Sequence, residues 1–143
     1  MMRIITGKAK GIKLNSLEGN NTRPTSERTK EAVFSMIQFE IEGRRVLDLF
    51  AGSGQMGLEA LSRGASSAVM VDHSKAALSV IKQNILKTKL EGAQAICADS
   101  LEFLRAEGRK RNEAEKFDIV FLDPPYGEKL IPKALELMLS ADL

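Results

Sequence analysis

Two stretches of this 143-residue sequence hold residue types that could do chemistry together. The first is Asp48-Leu49-Phe50-Ala51-Gly52-Ser53-Gly54, followed by Gly57, with Asp72 twenty residues after Gly52. The second is Asp123-Pro124-Pro125-Tyr126. Gly52 and Gly54 permit a tight strand-to-helix turn and let a ligand approach the backbone closely. The helix N-terminus that follows offers free N–H groups to anionic ligand groups. A carboxylate at Asp72 can accept both hydroxyls of a ribose, so the pattern points to a nucleoside-bearing cofactor. The acidic Asp48, four residues before Gly52, narrows the choice. Its charge would repel a pyrophosphate and suits a cationic amine, as at the amino-acid end of S-adenosylmethionine.

In Asp123-Pro124-Pro125-Tyr126 the two prolines remove two N–H donors and stiffen the chain. The Asp123 carboxylate and the Pro124 carbonyl then become paired acceptors, matched to the two hydrogens of an exocyclic amino group. Such a nitrogen is a poor nucleophile, because its lone pair is delocalised into the ring. Acceptors that favour its pyramidal, partly cationic form stabilise the transition state more than the ground state. Alignment of nucleophile, methyl and sulfur can supply up to about 7–11 kcal/mol. Tyr126 offers a flat face for a base, worth roughly 1–3 kcal/mol per stacked base.

The elements that must position these groups follow from the periodicity. Ile4-Ile-Thr and Ile12-Lys-Leu, set apart by Gly7 and Gly11, predict a small hairpin. Thr25 or Ser26 caps a helix whose apolar positions are Ala32, Val33, Met36 and Ile37, closed by Gly43. Strands are predicted at 46–50, 68–71, 93–97 and 117–122, and helices at 57–63, 75–87, 100–109 and 129–139. Ala76, Leu78, Val80, Ile81 and Ile85 are expected on the inner face of the second of these helices. Alternation of this kind implies right-handed crossovers and a doubly wound, Rossmann-like parallel α/β sheet covered on both faces. The predicted division is a basic hairpin and helix at 1–42 and a cofactor-binding core at 43–143. Ile119-Val-Phe-Leu122 reads as a strand buried on both faces, so further strands are expected beyond it.

Composition sets the outer bounds. At 43% hydrophobic and 28% charged the chain is an ordinary globular domain, and no run reaches the roughly 18 apolar residues of a membrane span. A lone Cys97 and no signal-like N-terminus predict a reducing cytoplasm, and one Cys with one His, His73, predicts no zinc site. Residues 1–30 carry seven basic and two acidic side chains, a net +5 against −3 for the rest, which suggests a polyanionic partner.

With Asp99-Ser100 after the third strand, these motifs resemble those of class I S-adenosylmethionine-dependent amino methyltransferases. Arg3-Ile-Ile-Thr-Gly-Lys-Ala-Lys-Gly11 and Thr22-Arg-Pro-Thr-Ser-Glu-Arg-Thr-Lys-Glu-Ala-Val-Phe34 are similar to the bacterial 16S ribosomal RNA guanine-N2 methyltransferases. The resemblance implies that Asp48 and the loop through Phe50, Ala51, Gly52 and Gly54 hold the methionine part. Asp72 would take the ribose with His73 packed beside it, and Asp99 with Ser100 the adenine. Asp123 to Tyr126 would hold the target guanine. Arg3, Lys8, Lys10 and Arg23 would touch phosphates of ribosomal RNA or of the small subunit, the enzyme acting as a monomer. Class I methyltransferases have seven strands, and this chain supplies four. Three alternatives stay open: a DNA adenine-N6 methyltransferase, a nicotinamide-dependent oxidoreductase and a non-catalytic RNA-binding module.

Overall fold

A computed structural model of the chain describes residues 2–17, 26–108 and 116–122. The predicted final helix, Arg23 and Asp123 to Tyr126 lie outside the described residues. The elements run α1 Glu27–Met36, β1 Arg45–Leu49, α2 Gln55–Ser62, β2 Ser67–Asp72, α3 Lys75–Thr88, β3 Ala93–Cys97, α4 Ser100–Gly108 and β4 Ile119–Leu122. All strand pairs are parallel and the order is β3-β2-β1-β4. The order reverses between β1 and β4, where Leu49 pairs with Leu122. In such sheets ligands bind at the carboxyl ends of strands beside the reversal.

β1 forms because Val46, Leu47 and Leu49 are each fully buried, a gain of about 1.5–3 kcal/mol apiece. α3 is started by Ser74, whose hydroxyl accepts the Ala77 amide. Its buried residues are Ala77, Leu78, Ile81, Asn84 and Thr88. Ala76, expected inside, is exposed, and Val80 and Ile85 are half-buried. The inner stripe takes in two polar residues that apolar counting passes over. β4 forms one edge of the described sheet, with Phe121 buried and its other residues half-buried.

The N-terminal segment makes the expected hairpin. Arg3 bridges Lys13 in antiparallel sense, and the Ile4 amide donates to the Ile12 carbonyl. It lies along α2, with the Lys8 amide on the carbonyl of Ser62 at the end of that helix. Gly7 is required there, because a Cβ would fall 1.9 Å from the Ser62 carbonyl oxygen. Ser26 caps α1 by accepting the Thr29 amide. The helix stops at Met36, well before Gly43, and buries Phe34 and Lys30 while leaving Met36 and Ala32 exposed. Phe34 meets Phe121 with ring centroids 5.5 Å apart, tying α1 to β4. Ile4, Ala9, Leu14, Phe34 and Ile41 share one core cluster with Val46, Leu58 and Met70. No helix among the described residues is long and apolar enough to cross a membrane.

Candidate cofactor site

The loop between β1 and α2 is built on positive backbone angles. Phe50 has φ 58°, Gly52 60° and Gly54 82°. For the bulky Phe50 this left-handed conformation costs on the order of 1–3 kcal/mol, which the surrounding structure must offset. Part of the offset is visible: the Ala51 amide donates to Val71, the Gly54 amide to Ala51 and the Gly52 amide to Asp72 Oδ2 at 3.0 Å. Gly54 caps α2, and a Cβ there would press on Met70 and Ile81. Gly57 lies inside the helix, where a Cβ would sit 2.8 Å from Met70 Cγ. The third glycine therefore serves close packing of α2 on β2. A Cβ at Gly52 would meet nothing within 4 Å, so this side of the loop is open to a ligand.

Three carboxylates stand at the carboxyl ends of successive strands. Asp48, in β1 and almost fully buried, accepts the Gly57 amide through Oδ2 at 3.1 Å. Asp72, ending β2, accepts Gly52 through Oδ2 and Ser74 through Oδ1, each at 3.0 Å. Asp99, after β3, accepts the Glu102 amide at 3.1 Å and opens α4, above the buried Ser100. His73 points into solvent, its Nδ1 3.7 Å from Asp72 Oδ1. Each Asp72 oxygen thus holds one backbone amide and keeps room for a second donor, as two ribose hydroxyls require. The loop geometry and the spacing of the carboxylates fit an adenosyl cofactor with a cationic amino-acid end.

The sequence candidates on the basic arm divide differently. Arg3 gives two bonds to Glu27 Oε1, an exposed pair. Lys8 and Lys10 are exposed at the hairpin tip, against the far end of the eight-residue α2, about 12 Å along the helix from the glycine loop. A cleft of about 450 Å³ lies at that tip, lined by Lys8, Glu42 and Arg63 among others, away from the three carboxylates.

Sequence reasoning missed the groups that fasten this arm. Glu59 is fully buried in α2 and takes four donors. Its Oε1 accepts the Ile5 amide at 2.8 Å and Lys30 Nζ at 3.1 Å; its Oε2 accepts the Thr6 amide at 3.1 Å and Arg63 Nε at 2.9 Å. Lys30 also donates to the Arg3 carbonyl at 2.9 Å. Burial pushes its ammonium below the usual lysine range, with the Glu59 charge opposing that shift. One of the seven positive charges of the arm is therefore interior. The only sequence hint was a charge at Glu59 inside an otherwise apolar turn.

A family profile described as "Conserved hypothetical protein 95" matches residues 2–143. The ribosomal RNA small subunit methyltransferase D of Haemophilus influenzae is 39% identical over 139 residues, which cover 96% of this chain and 70% of that protein. A hypothetical protein of Thermus thermophilus superposes with a TM-score of 0.84 at 33% identity, covering 100% of this chain and 80% of that one. A SAM-dependent methyltransferase from Agrobacterium tumefaciens superposes with a TM-score of 0.68 at 24% identity, over 91% of this chain and 44% of that one, a likeness of fold alone. With the parallel order β3-β2-β1-β4, these likenesses identify the fold as that of the class I methyltransferases.

Proposed function

This chain belongs to the conserved hypothetical protein 95 family, and from that premise we propose that it methylates ribosomal RNA with S-adenosylmethionine, at the exocyclic N2 amine of a small-subunit guanine. The observation that carries the cofactor is the open glycine loop between Asp48 and Asp72 at the carboxyl ends of β1 and β2. What supports the substrate is the name of the Haemophilus influenzae relative, a small-subunit ribosomal RNA methyltransferase. What supports the amine is Asp123-Pro124-Pro125-Tyr126, which directly follows Leu122, the partner of Leu49 in β1.

In this reading Asp72 binds the ribose hydroxyls, Asp99 with the chain at Ser100 binds the adenine, and Asp48 faces the amino-acid end. When bound, the cofactor supplies an electrophilic methyl on sulfonium sulfur. Asp123 and the Pro124 carbonyl accept both amine hydrogens, which aims the nitrogen lone pair at that methyl and favours the cationic nitrogen that forms. The surplus proton becomes acidic as the charge arrives, so it passes to water without a strong base. Tyr126 stacks on the guanine.

The test is Asp123→Ala in the full-length protein, with methyl-labelled cofactor and small-subunit ribosomal RNA. Transfer should fall about 10²–10³-fold while cofactor affinity holds. Undiminished transfer would refute the role of Asp123.

A further inference from the structure

Ser53 sits at the centre of the glycine loop, yet it is buried. What covers it comes from the N-terminal segment. Its hydroxyl donates to Met2 Sδ at 3.3 Å. Its carbonyl accepts the Asn84 side-chain amide at 2.9 Å. Asn84, fully buried in α3, spends its remaining groups on Asn15, accepting the Asn15 amide through Oδ1 at 2.7 Å and donating Nδ2 to the Asn15 carbonyl at 3.0 Å. Met2 and Asn15 stand at the open end of the hairpin, joined through the Leu14 amide on the Met2 carbonyl. One buried amide thus binds both the loop and the hairpin, and Met2 of the hairpin holds the same serine directly. Gly52, next to it, faces open space, so the loop is supported from the hairpin side.

We propose that Asn84 is a positioning residue through which the N-terminal hairpin buttresses the cofactor loop, so that cofactor affinity depends on a segment outside the cofactor site. The physical reason is the cost of a buried amide with no partner. If Asn15 withdraws, Asn84 must either stay unsatisfied or turn away from Ser53. A loop holding Phe50, Gly52 and Gly54 at positive φ then loses one of the bonds that keep it in its binding shape. The hairpin also carries Lys8 and Lys10, so a partner that grips the arm steadies the cofactor loop as well.

Two variants break the link from opposite sides. Asn84→Ala removes the amide, and Asn15→Pro removes the N–H that Asn84 accepts. Gln83→Ala is the control, since it deletes only an exposed bond to the Asn15 side chain. The first reading is amide hydrogen exchange at Ala51, Gly52 and Gly54, which requires no ligand. Exchange there should speed up about tenfold in Asn15→Pro and in Asn84→Ala, with the control unchanged. The second is S-adenosylmethionine affinity by calorimetry, which should weaken about tenfold in the same two variants. This arm rests on the cofactor reading above; a wild-type chain that binds no cofactor would count against that reading alone, and exchange would still decide the buttress. Should Asn84→Ala not fold, Asn15→Pro carries the test. Loop exchange at the wild-type rate in Asn15→Pro, with the hairpin amides of Ile4 and Leu14 exchanging faster, would overturn the proposal.

Discussion

Asp72 and Glu59 begin with the same wiring and end with different work. Each carboxylate accepts two backbone amides, Gly52 and Ser74 for Asp72, Ile5 and Thr6 for Glu59. Glu59 adds an ammonium and a guanidinium, so two donors sit on each oxygen and its capacity is filled. It is fully buried, and no acceptor capacity is left for a ligand. Asp72 has one backbone amide on each oxygen, a side chain 13% exposed, and the open side of Gly52 beside it. Amides fix a carboxylate in place; cations neutralise it as well. The first arrangement leaves a positioned acceptor for a ligand, and the second makes a joint between the hairpin, α1 and α2.

The comparison breaks most sharply at the joint. Glu59→Ala strands a buried ammonium and two hairpin amides, and should cost about 3–5 kcal/mol of stability in denaturant unfolding. A loss under about 1 kcal/mol would show that water replaces the carboxylate and that the joint is not closed.

Asp72→Ala should act on binding instead. S-adenosylmethionine affinity should fall about 10- to 100-fold by calorimetry, the loss expected for bonds to a charged acceptor. Unchanged affinity would make Asp72 another joint, serving only Gly52 and Ser74.

The pH dependence of stability sharpens the contrast from the cation side. Lys30 is lowered in the folded state, first by burial, while the unfolded chain keeps the ordinary lysine value of 10.5. Between the lowered value and 10.5 the unfolded chain holds more protons, so Lys30 makes stability rise with pH in that window. Lys30→Met should flatten the rise, by at most about 1.4 kcal/mol per pH unit. Glu27, Glu59 and Arg63 are the charged groups acting on Lys30, and a rise that persists in Lys30→Met would assign the effect elsewhere.

The smallest effect belongs to the exposed cations. Lys8→Ala or Lys10→Ala should leave stability within about 0.5 kcal/mol and lower the salt slope of RNA binding by roughly one unit each. A slope that does not move would remove the hairpin tip from the RNA contact.

The sequence made the scaffold legible because strands β1 to β3 and helices α2 to α4 rest on local periodicity and on caps such as Ser74. The places of Asp48, Gly52, Gly54, Asp72 and Asp99 at the strand ends and in the turn were legible because a glycine turn and acidic strand ends are also local signals. Lys30, Glu59 and Asn84 were not. A charged or amide side chain in a helix reads as solvent-facing, and distant partners, such as those 29, 53 and 69 positions away, are needed to make its burial tolerable. The end of α1 escaped for a related reason: Phe34 packs on Phe121 and Arg63, so the inner face follows tertiary partners and leaves Met36 outside.

The most direct measurement is the position of the transferred methyl group. Full-length protein, methyl-labelled S-adenosylmethionine and small-subunit ribosomal RNA, free and assembled into particles, are incubated and the RNA is digested for mass mapping. The account predicts label on the N2 amine of one guanine. Label on adenine, or none on either form of the RNA, would contradict it.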